Sequence, residues 1–204
     1  PFTTVSAEVF ELTPENLPDY LAWHGLATDS AHARVRALGG GVSNIVLLIE
    51  WPERPDRRWV AKQSLEKLRV QDDWRSERSR IYREAESIRA MRPVLGEAAV
   101  PEVIHIDPAN YLFIMVAAPA GAVSWKELLL AGQVDLAVAR QAGTLLARMI
   151  TGSRADLHLR TRFEDRTVFD QLRIDPYYRT TAARHPDVRG ALAVEQREGM
   201  GGKR

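Results

Sequence analysis

The stretch that decides the fold is Gly39-Gly40-Gly41-Val42-Ser43-Asn44-Ile45-Val46-Leu47-Leu48-Ile49-Glu50-Trp51. Residues 45–51 are rich in β-branched and large apolar side chains, which is typical of a strand. A shorter extended run, residues 35–38, precedes the glycines, and Trp59-Val60-Ala61-Lys62-Gln63 follows a turn. The pattern predicts a hairpin joined by the glycines, with a third strand that carries Lys62.

Further elements extend outward from this hairpin. Residues 103–106 and 112–116 predict two more strands, and a Pro/Gly connector at 117–123 is followed by helical patterns from Ser124 and Asp135. Residues 153–191 are Arg-rich and predict irregular structure. A helix from Asp72 or Asp73 to Arg92 is predicted by apolar residues at helical spacing, namely Trp74, Ile81, Ala85, Ile88 and Met91. We therefore expect an α+β fold with five strands, one interposed helix and a helical C-terminal part.

Composition excludes several classes of protein. The 204 residues include 28 Lys and Arg against 27 Asp and Glu, a net charge of +1, so no global attraction to nucleic acid or anionic membrane is expected. Absence of cysteine excludes disulfide scaffolds, Cys-ligated metals and thiol nucleophiles. The longest uncharged run, residues 108–125, contains proline and glycine and is not a clean membrane helix. We expect a cytoplasmic protein with neither a nucleic-acid nor a membrane partner.

Two charged residues carry the candidate chemistry. Lys62 is flanked by apolar residues in its strand, so its ammonium would face the core side and need a partner. Glu84 lies three residues after Ile81 and four before Ile88, on the apolar stripe, whereas Glu86 falls off it. We expect Glu84 to pair with Lys62. The alternatives are an edge-strand Lys62 in water and a Glu84 with a solvated head group.

The glycine cluster admits two interpretations. Glycines allow backbone N–H groups to approach phosphate oxygens, because no Cβ stands in the way. The alternative is a tight hairpin turn and nothing more. The cluster has no Gly-Lys-Ser/Thr ending, which excludes a P-loop, and it precedes a strand, which excludes the dinucleotide fingerprint.

Taken together, the glycine hairpin, strand lysine and helix glutamate resemble the phosphate-binding lobe of protein-kinase-like proteins. Gly41-Val42-Ser43-Asn44 resembles the Gly-x-Ser/Thr-Asn variant of the aminoglycoside phosphotransferase and choline kinase family. The resemblance covers residues 30–150, and the sequence at 163–178 looks like that of methylthioribose kinase relatives. It implies an N-lobe over 1–116, a hinge at 117–123 and an incomplete helical C-lobe over 124–194. Residues 195–204 are polar with three glycines, so we expect a disordered tail there.

The resemblance also implies a reaction, in which the γ-phosphoryl group of ATP moves to a hydroxyl of a small-molecule substrate with Mg²⁺. Met115 would lie at the back of the adenine pocket. The implied roles are phosphate contacts from Gly41, Ser43, Asn44 and Lys62, orientation of Lys62 by Glu84, and backbone hydrogen bonds to adenine from Val116 and Ala118.

The catalytic loop of this family, His-x-Asp-x-x-x-x-Asn, has no match in the sequence. His105-Ile106-Asp107-Pro108-Ala109-Asn110 has the wrong spacing and predicts a hairpin turn, and His185-Pro186-Asp187 is followed by Leu192 where the Asn belongs. We therefore assign no catalytic residue and no metal ligand, and expect a truncated, inactive chain. A non-catalytic nucleotide-binding module and a plain structural domain remain alternatives. We also expect an exposed apolar patch that includes Leu136, Leu145, Leu146 and Met149.

Overall fold

Antiparallel pairing of the apolar runs organises the first part of the chain. The computed structural model describes residues 10–39 and 41–192. Its five strands form one antiparallel sheet in the order β1-β2-β3-β5-β4, which confirms the predicted α+β class. The strands are β1 (Arg34–Ala37), β2 (Asn44–Trp51), β3 (Arg54–Ser64), β4 (Val103–Asp107) and β5 (Leu112–Val116).

Helices precede, interrupt and follow the sheet in the sequence. In chain order they are α1 (Leu17–Trp23), α2 (Arg80–Leu95), α3 (Trp125–Leu130), α4 (Leu136–Ala155), α5 (Leu157–Arg162) and α6 (Thr167–Phe169), which continues as a π-helical segment (Asp170–Arg179) and α7 (Thr180–Arg184).

Two helix predictions were wrong. The interposed helix begins at Arg80 and not at Asp72 or Asp73, because residues 66–76 form a loop closed by backbone hydrogen bonds and a Lys67–Arg75 bridge. Trp74 therefore lies outside the helix, where its indole donates to the carbonyl of Gln171. Residues 153–191, predicted to be irregular, contain α5 to α7, and Gln171 in this region makes hydrogen bonds with the distant Trp74 and Ser76.

Strand alternation divides the core into two clusters. On one face of the sheet, α1 packs against alternate residues of β2, β3 and β5; the buried members include Leu17, Leu21, Ile45, Leu47, Ile49, Ala61 and Ile114. On the other face, Ile81 and Ala85 of α2 pack against Phe113 of β5 and Val103 of β4. Lys62 follows Ala61 in β3 and therefore belongs to the α2 face.

The helical C-terminal part has no core of its own. Within the described chain, no residue from 115 to 192 is buried. Leu136, Leu146 and Met149 are exposed, as the expected apolar patch requires, whereas Leu145 is half-buried. Among residues 10–39 and 41–192, no helix has both the length and the apolar character needed to cross a bilayer. The tail predicted to be disordered, 195–204, lies outside the described residues.

The connection between β4 and β5 is the predicted hairpin turn. Asp107 Oδ1 accepts hydrogen bonds from the backbone N–H groups of Ala109 (2.9 Å) and Asn110 (3.2 Å). Asp107 Oδ2 accepts from the Tyr20 hydroxyl at 2.8 Å, which ties the turn to α1. Burial raises the pKa of Asp107, but hydrogen bonds from Asn110 and Tyr20 outweigh it, so the net pKa is below the ordinary value. This Asp is engaged in a structural turn.

Two imidazoles lie close together where α1 meets β4. The ring centroids of His24 and His105 are 5.3 Å apart, and His105 Nε2 lies 3.2 Å from the Tyr20 hydroxyl. Burial lowers the pKa of His105 below its ordinary value, His24 and Arg89 lower it further, and Asp107 opposes them. The folded chain therefore favours neutral His105.

We predict that amide hydrogens of β2, β3 and β5 exchange with solvent at least about a hundredfold more slowly than those of α4. Most residues of β2, of β5 and of the second half of β3 are buried, whereas α4 has no buried residue. Hydrogen exchange followed by mass spectrometry measures this difference. Equal protection of α4 and the sheet from exchange would contradict the finding that the helical C-terminal part has no core of its own.

We also predict that the free energy of unfolding falls as the pH drops below about 6.5. The unfolded chain binds a proton at His105 more readily than the folded chain does, so the contribution is complete above the unfolded pKa and is lost as the pH falls toward the lower folded pKa. Denaturant unfolding at several pH values measures it. His105→Gln should flatten this pH dependence and His158→Gln, on exposed α5, should not; equal slopes in all three proteins would refute the prediction.

Candidate functional site

Lys62 lies in the middle of the sheet. Its strand, β3, pairs with β2 on one side and β5 on the other, with Val46 and Phe113 as the residues directly opposite Lys62. The side chain is 19% exposed, and Nζ lies 5.9 Å from the centre of the Phe113 ring. The alternative of an edge-strand lysine in water is therefore wrong.

Glu84 supplies the expected partner. Ile81 and Ala85 of α2 are buried against the sheet, which brings Glu84 over β3. Glu84 Oε1 accepts a hydrogen bond from Lys62 Nζ in an ion pair, while Glu86 points elsewhere and pairs with Arg162 at 2.9 Å. The prediction from the apolar stripe, that Glu84 and not Glu86 pairs with Lys62, is therefore confirmed.

The turn before β2 is open around Gly41. The φ angle of Gly41 is not in the left-handed region, and a Cβ placed there would meet no heavy atom of the described residues within 4 Å. Neither the backbone conformation nor the packing of the turn requires glycine at this position. A ligand that approaches the backbone would require it, because a side chain would occupy the same space.

The end of this turn and Glu84 line the same cleft. Its volume is about 440 Å³, and it lies between the turn, α2 and the segment that contains α6. The Oδ1 atom of Asn44 is buried and accepts no hydrogen bond within the described chain. The lining residues are Ser43, Asn44, Arg80, Arg83, Glu84, Ser87, Phe163, Val168, Leu172 and Arg173. The cleft combines polar backbone, one carboxylate and three guanidinium groups.

Val116 and Ala118 lie at the other end of the sheet from the cleft. Val116 follows Phe113 by three residues on β5, a distance of about 10 Å along the strand. The Val116 N–H donates to the carbonyl of Glu102 at 2.9 Å, so only its carbonyl remains for a ligand. The Ala118 carbonyl accepts from Arg58, whose Nε also donates to Glu50 at 2.9 Å.

A row of apolar side chains, of which Leu48 and Val60 are buried, connects the two ends. Leu48 pairs with Val60 across β2 and β3, and Val60 pairs with Met115 across β3 and β5. Because Val60 and Lys62 are two residues apart in one strand, their side chains share a face of the sheet. This row places apolar side chains between the ion pair and the connector, on one continuous face.

Sequence reasoning missed two arginines. Arg58 fastens the connector through the Ala118 carbonyl, and Arg80 contacts the carbonyl of Ser43 at the end of the turn. Burial lowers the pKa of Arg80, Arg78 lowers it further and Glu84 opposes them. One signal was available for Arg80, since it precedes Glu84 by four residues and so shares its helix face.

The described residues contain no cluster of three or more His, Asp or Glu side chains arranged to hold a metal ion. No protein-family model matches the sequence, and no curated protein matches it. The interpretation of the site therefore rests on its residues and their geometry.

We predict that Gly41→Ala leaves the fold intact and increases the free energy of unfolding by up to about 1 kcal/mol, because alanine restricts the unfolded chain and fits the open space. Chemical denaturation of both proteins measures the change. As a matched control, Gly25→Ala should be destabilising, since Gly25 has a φ of +64°. A strongly destabilised Gly41→Ala would show that the turn itself requires glycine.

Proposed function

We propose that this chain is the ATP-binding portion of a small-molecule kinase, which transfers the γ-phosphoryl group of ATP to a hydroxyl. The observation that carries the proposal is the Lys62–Glu84 ion pair beside the end of an open glycine-rich turn. The protein-kinase-like and aminoglycoside phosphotransferase-like resemblance belongs to the same proposal. The ion pair and the turn suit the phosphates of a nucleotide, and the apolar row on the same face of the sheet suits its base.

The ion pair suits the phosphate end of the nucleotide. A lysine ammonium has three N–H donors, and one of them is engaged by Glu84, so two donors remain for phosphate oxygens. Glu84 holds the ammonium in place, which reduces the entropy lost when a ligand binds. The open space at Gly41 allows phosphate oxygens to approach the backbone N–H groups of the turn.

The apolar row suits the base. A planar adenine ring packed beside Leu48, Val60 and Met115 would contact aliphatic side chains, of which Leu48 and Val60 are already buried and Met115 is half-buried. The carbonyl of Val116 could accept from the exocyclic amino group, and the N–H of Ala118 would be the donor to a ring nitrogen. Arg58 supports this recognition because it restrains the backbone at Ala118.

The chemical step needs groups besides these. Mg²⁺ would neutralise phosphate charge in the intact family fold, but the described residues contain no cluster of His, Asp or Glu side chains that fits it. Asp107 is no candidate base, since Tyr20 and Asn110 engage it in a turn. The residues of this chain bind and orient the nucleotide.

A second candidate function is a module that binds ATP without transferring its phosphoryl group. The engagement of Asp107 favours it, because the sequence motif closest to a catalytic loop is a structural turn. Incubation with ATP and hydroxyl compounds, followed by detection of ADP, separates the two functions. Formation of ADP that depends on the hydroxyl compound supports the kinase, and tight ATP binding without ADP supports the module.

We predict that Lys62→Ala weakens ATP binding roughly 10- to 100-fold, because a charge-assisted hydrogen bond to phosphate is lost. Glu84→Gln should weaken it less, since the lysine remains but is no longer held. Isothermal titration calorimetry with ATP measures both effects.

Matched controls exist for each substitution. Lys67→Ala removes a lysine that is 55% exposed and pairs with Asp73, and Glu86→Gln removes the carboxylate that pairs with Arg162. Both controls should bind ATP as the unmodified chain does. If Lys62→Ala and Lys67→Ala bind ATP equally well, or the unmodified chain does not bind ATP, the proposed function is wrong.

A further inference from the structure

We propose that Arg80 is a positioning residue that holds the end of the glycine-rich turn, residues 41–44, in the orientation that receives phosphate. This inference rests on the proposed function for the identity of the ligand. Arg80 is the first residue of α2 and is 8% exposed, in a chain where most arginines lie at the surface. Its contacts show why it is buried.

The guanidinium of Arg80 joins three separate segments. Its Nη2 donates to the carbonyls of Ser43 (2.5 Å) and Leu65 (2.7 Å). Its Nη1 donates to the carbonyls of Ser76 (3.0 Å) and Glu77 (2.8 Å). The turn before β2, the first residue after β3 and the residues just before α2 therefore meet at one side chain.

Only arginine can make this set of contacts. The guanidinium is planar and carries two N–H donors on each terminal nitrogen, so it reaches four carbonyl oxygens in fixed directions. A lysine places three donors on one atom and cannot span the same oxygens. The four carbonyls also satisfy a charged group that would be costly to bury without partners.

The loop after β3 orients the turn together with Arg80. The Ser43 carbonyl also accepts from the Leu65 N–H at 3.0 Å, and the Val42 carbonyl accepts from the Arg69 N–H at 2.8 Å. In a planar trans peptide the N–H points opposite to the preceding carbonyl. The N–H groups of Ser43 and Asn44 are therefore directed away from the loop at residues 65–69.

This orientation matters for an anion. Consecutive N–H groups that are free of the loop can donate to phosphate oxygens, as such groups do in anion-binding turns. Ser43, Asn44 and Arg80 line the same cleft, so the arginine also adds a positive charge near the bound phosphates. Loss of Arg80 would leave the Ser43 carbonyl held by the Leu65 N–H alone and would loosen the orientation of these peptides.

The test uses Arg80→Met, which removes the charge and all four hydrogen bonds, and Arg80→Lys, which keeps the charge. Arg89→Met is the matched control, since Arg89 lies on the same helix and is exposed. The first measurement is amide hydrogen exchange at residues 41–44 and 65–69 in the ligand-free chain. We expect exchange about tenfold faster in both Arg80 variants, as for one or two lost hydrogen bonds, and no change in Arg89→Met.

The second measurement is the ratio of the affinities for ATP and adenosine. Arg80→Met should lower this ratio at least about fivefold, because the loss affects phosphate and not the base. A purely structural role would weaken both ligands equally. Thermal denaturation identifies a variant that does not fold, and in that case Arg80→Lys decides the exchange experiment.

The outcomes separate this inference from the proposed function. Unchanged exchange of the turn in the Arg80 variants overturns the positioning role, whether or not the chain binds ATP. An Arg80→Lys variant that matches the unmodified chain in exchange and in affinity ratio also overturns it, since charge alone would then suffice. An unmodified chain that binds ATP no more tightly than adenosine overturns the proposed function. Faster exchange of residues 41–44 in the Arg80 variants would still support the positioning role of Arg80.

Discussion

The ion pair between Lys62 and Glu84 is the constraint on which the arrangement of this protein depends. A lysine on the inner face of a central strand needs a counter-charge, and the carboxylate must come from the helix that covers that face. The pair therefore relates α2 to β3 in both position and rotation. Arg80 extends the same constraint to the glycine-rich turn, because it leaves α2 on the same helix face and reaches the Ser43 carbonyl.

The two halves of the chain differ in how they are stabilised. The sheet is covered by α1 on one face and α2 on the other, with a buried cluster on each side. The C-terminal helices contact α2 and the loop before it through packing of Gly152 beside Val94 and through polar contacts such as Arg83 with Asp165 and Gln171 with Ser76. All the candidate site residues predicted from sequence lie in the half that has a core or at its edge, which is where a binding site can be held rigid.

The cleft beside the ion pair depends on both halves. Its walls are the turn and α2 on one side, and Phe163, Leu172 and Arg173 on the other. The second wall has no buried residue, whereas Ile81 and Ala85 of α2 are buried against the sheet, so we expect the second wall to be the less constrained of the two. The phosphate end of the site is therefore more constrained where the turn and α2 form its wall than where the C-terminal helices do.

The sequence by itself determined the five strands, the hairpin at the glycines, the turn at Asp107 and the pairing of Lys62 with Glu84, because strand alternation and helical spacing are local patterns. It did not determine where α2 begins or that residues 153–191 are helical, since the loop at 66–76 and the C-terminal helices are held by contacts such as Trp74 with Gln171. Only the tertiary structure decided the role of Arg80, because two of its four acceptors, the carbonyls of Ser43 and Leu65, lie 37 and 15 residues away in the sequence. A local pattern carries no information about carbonyl groups that converge only after the chain has folded.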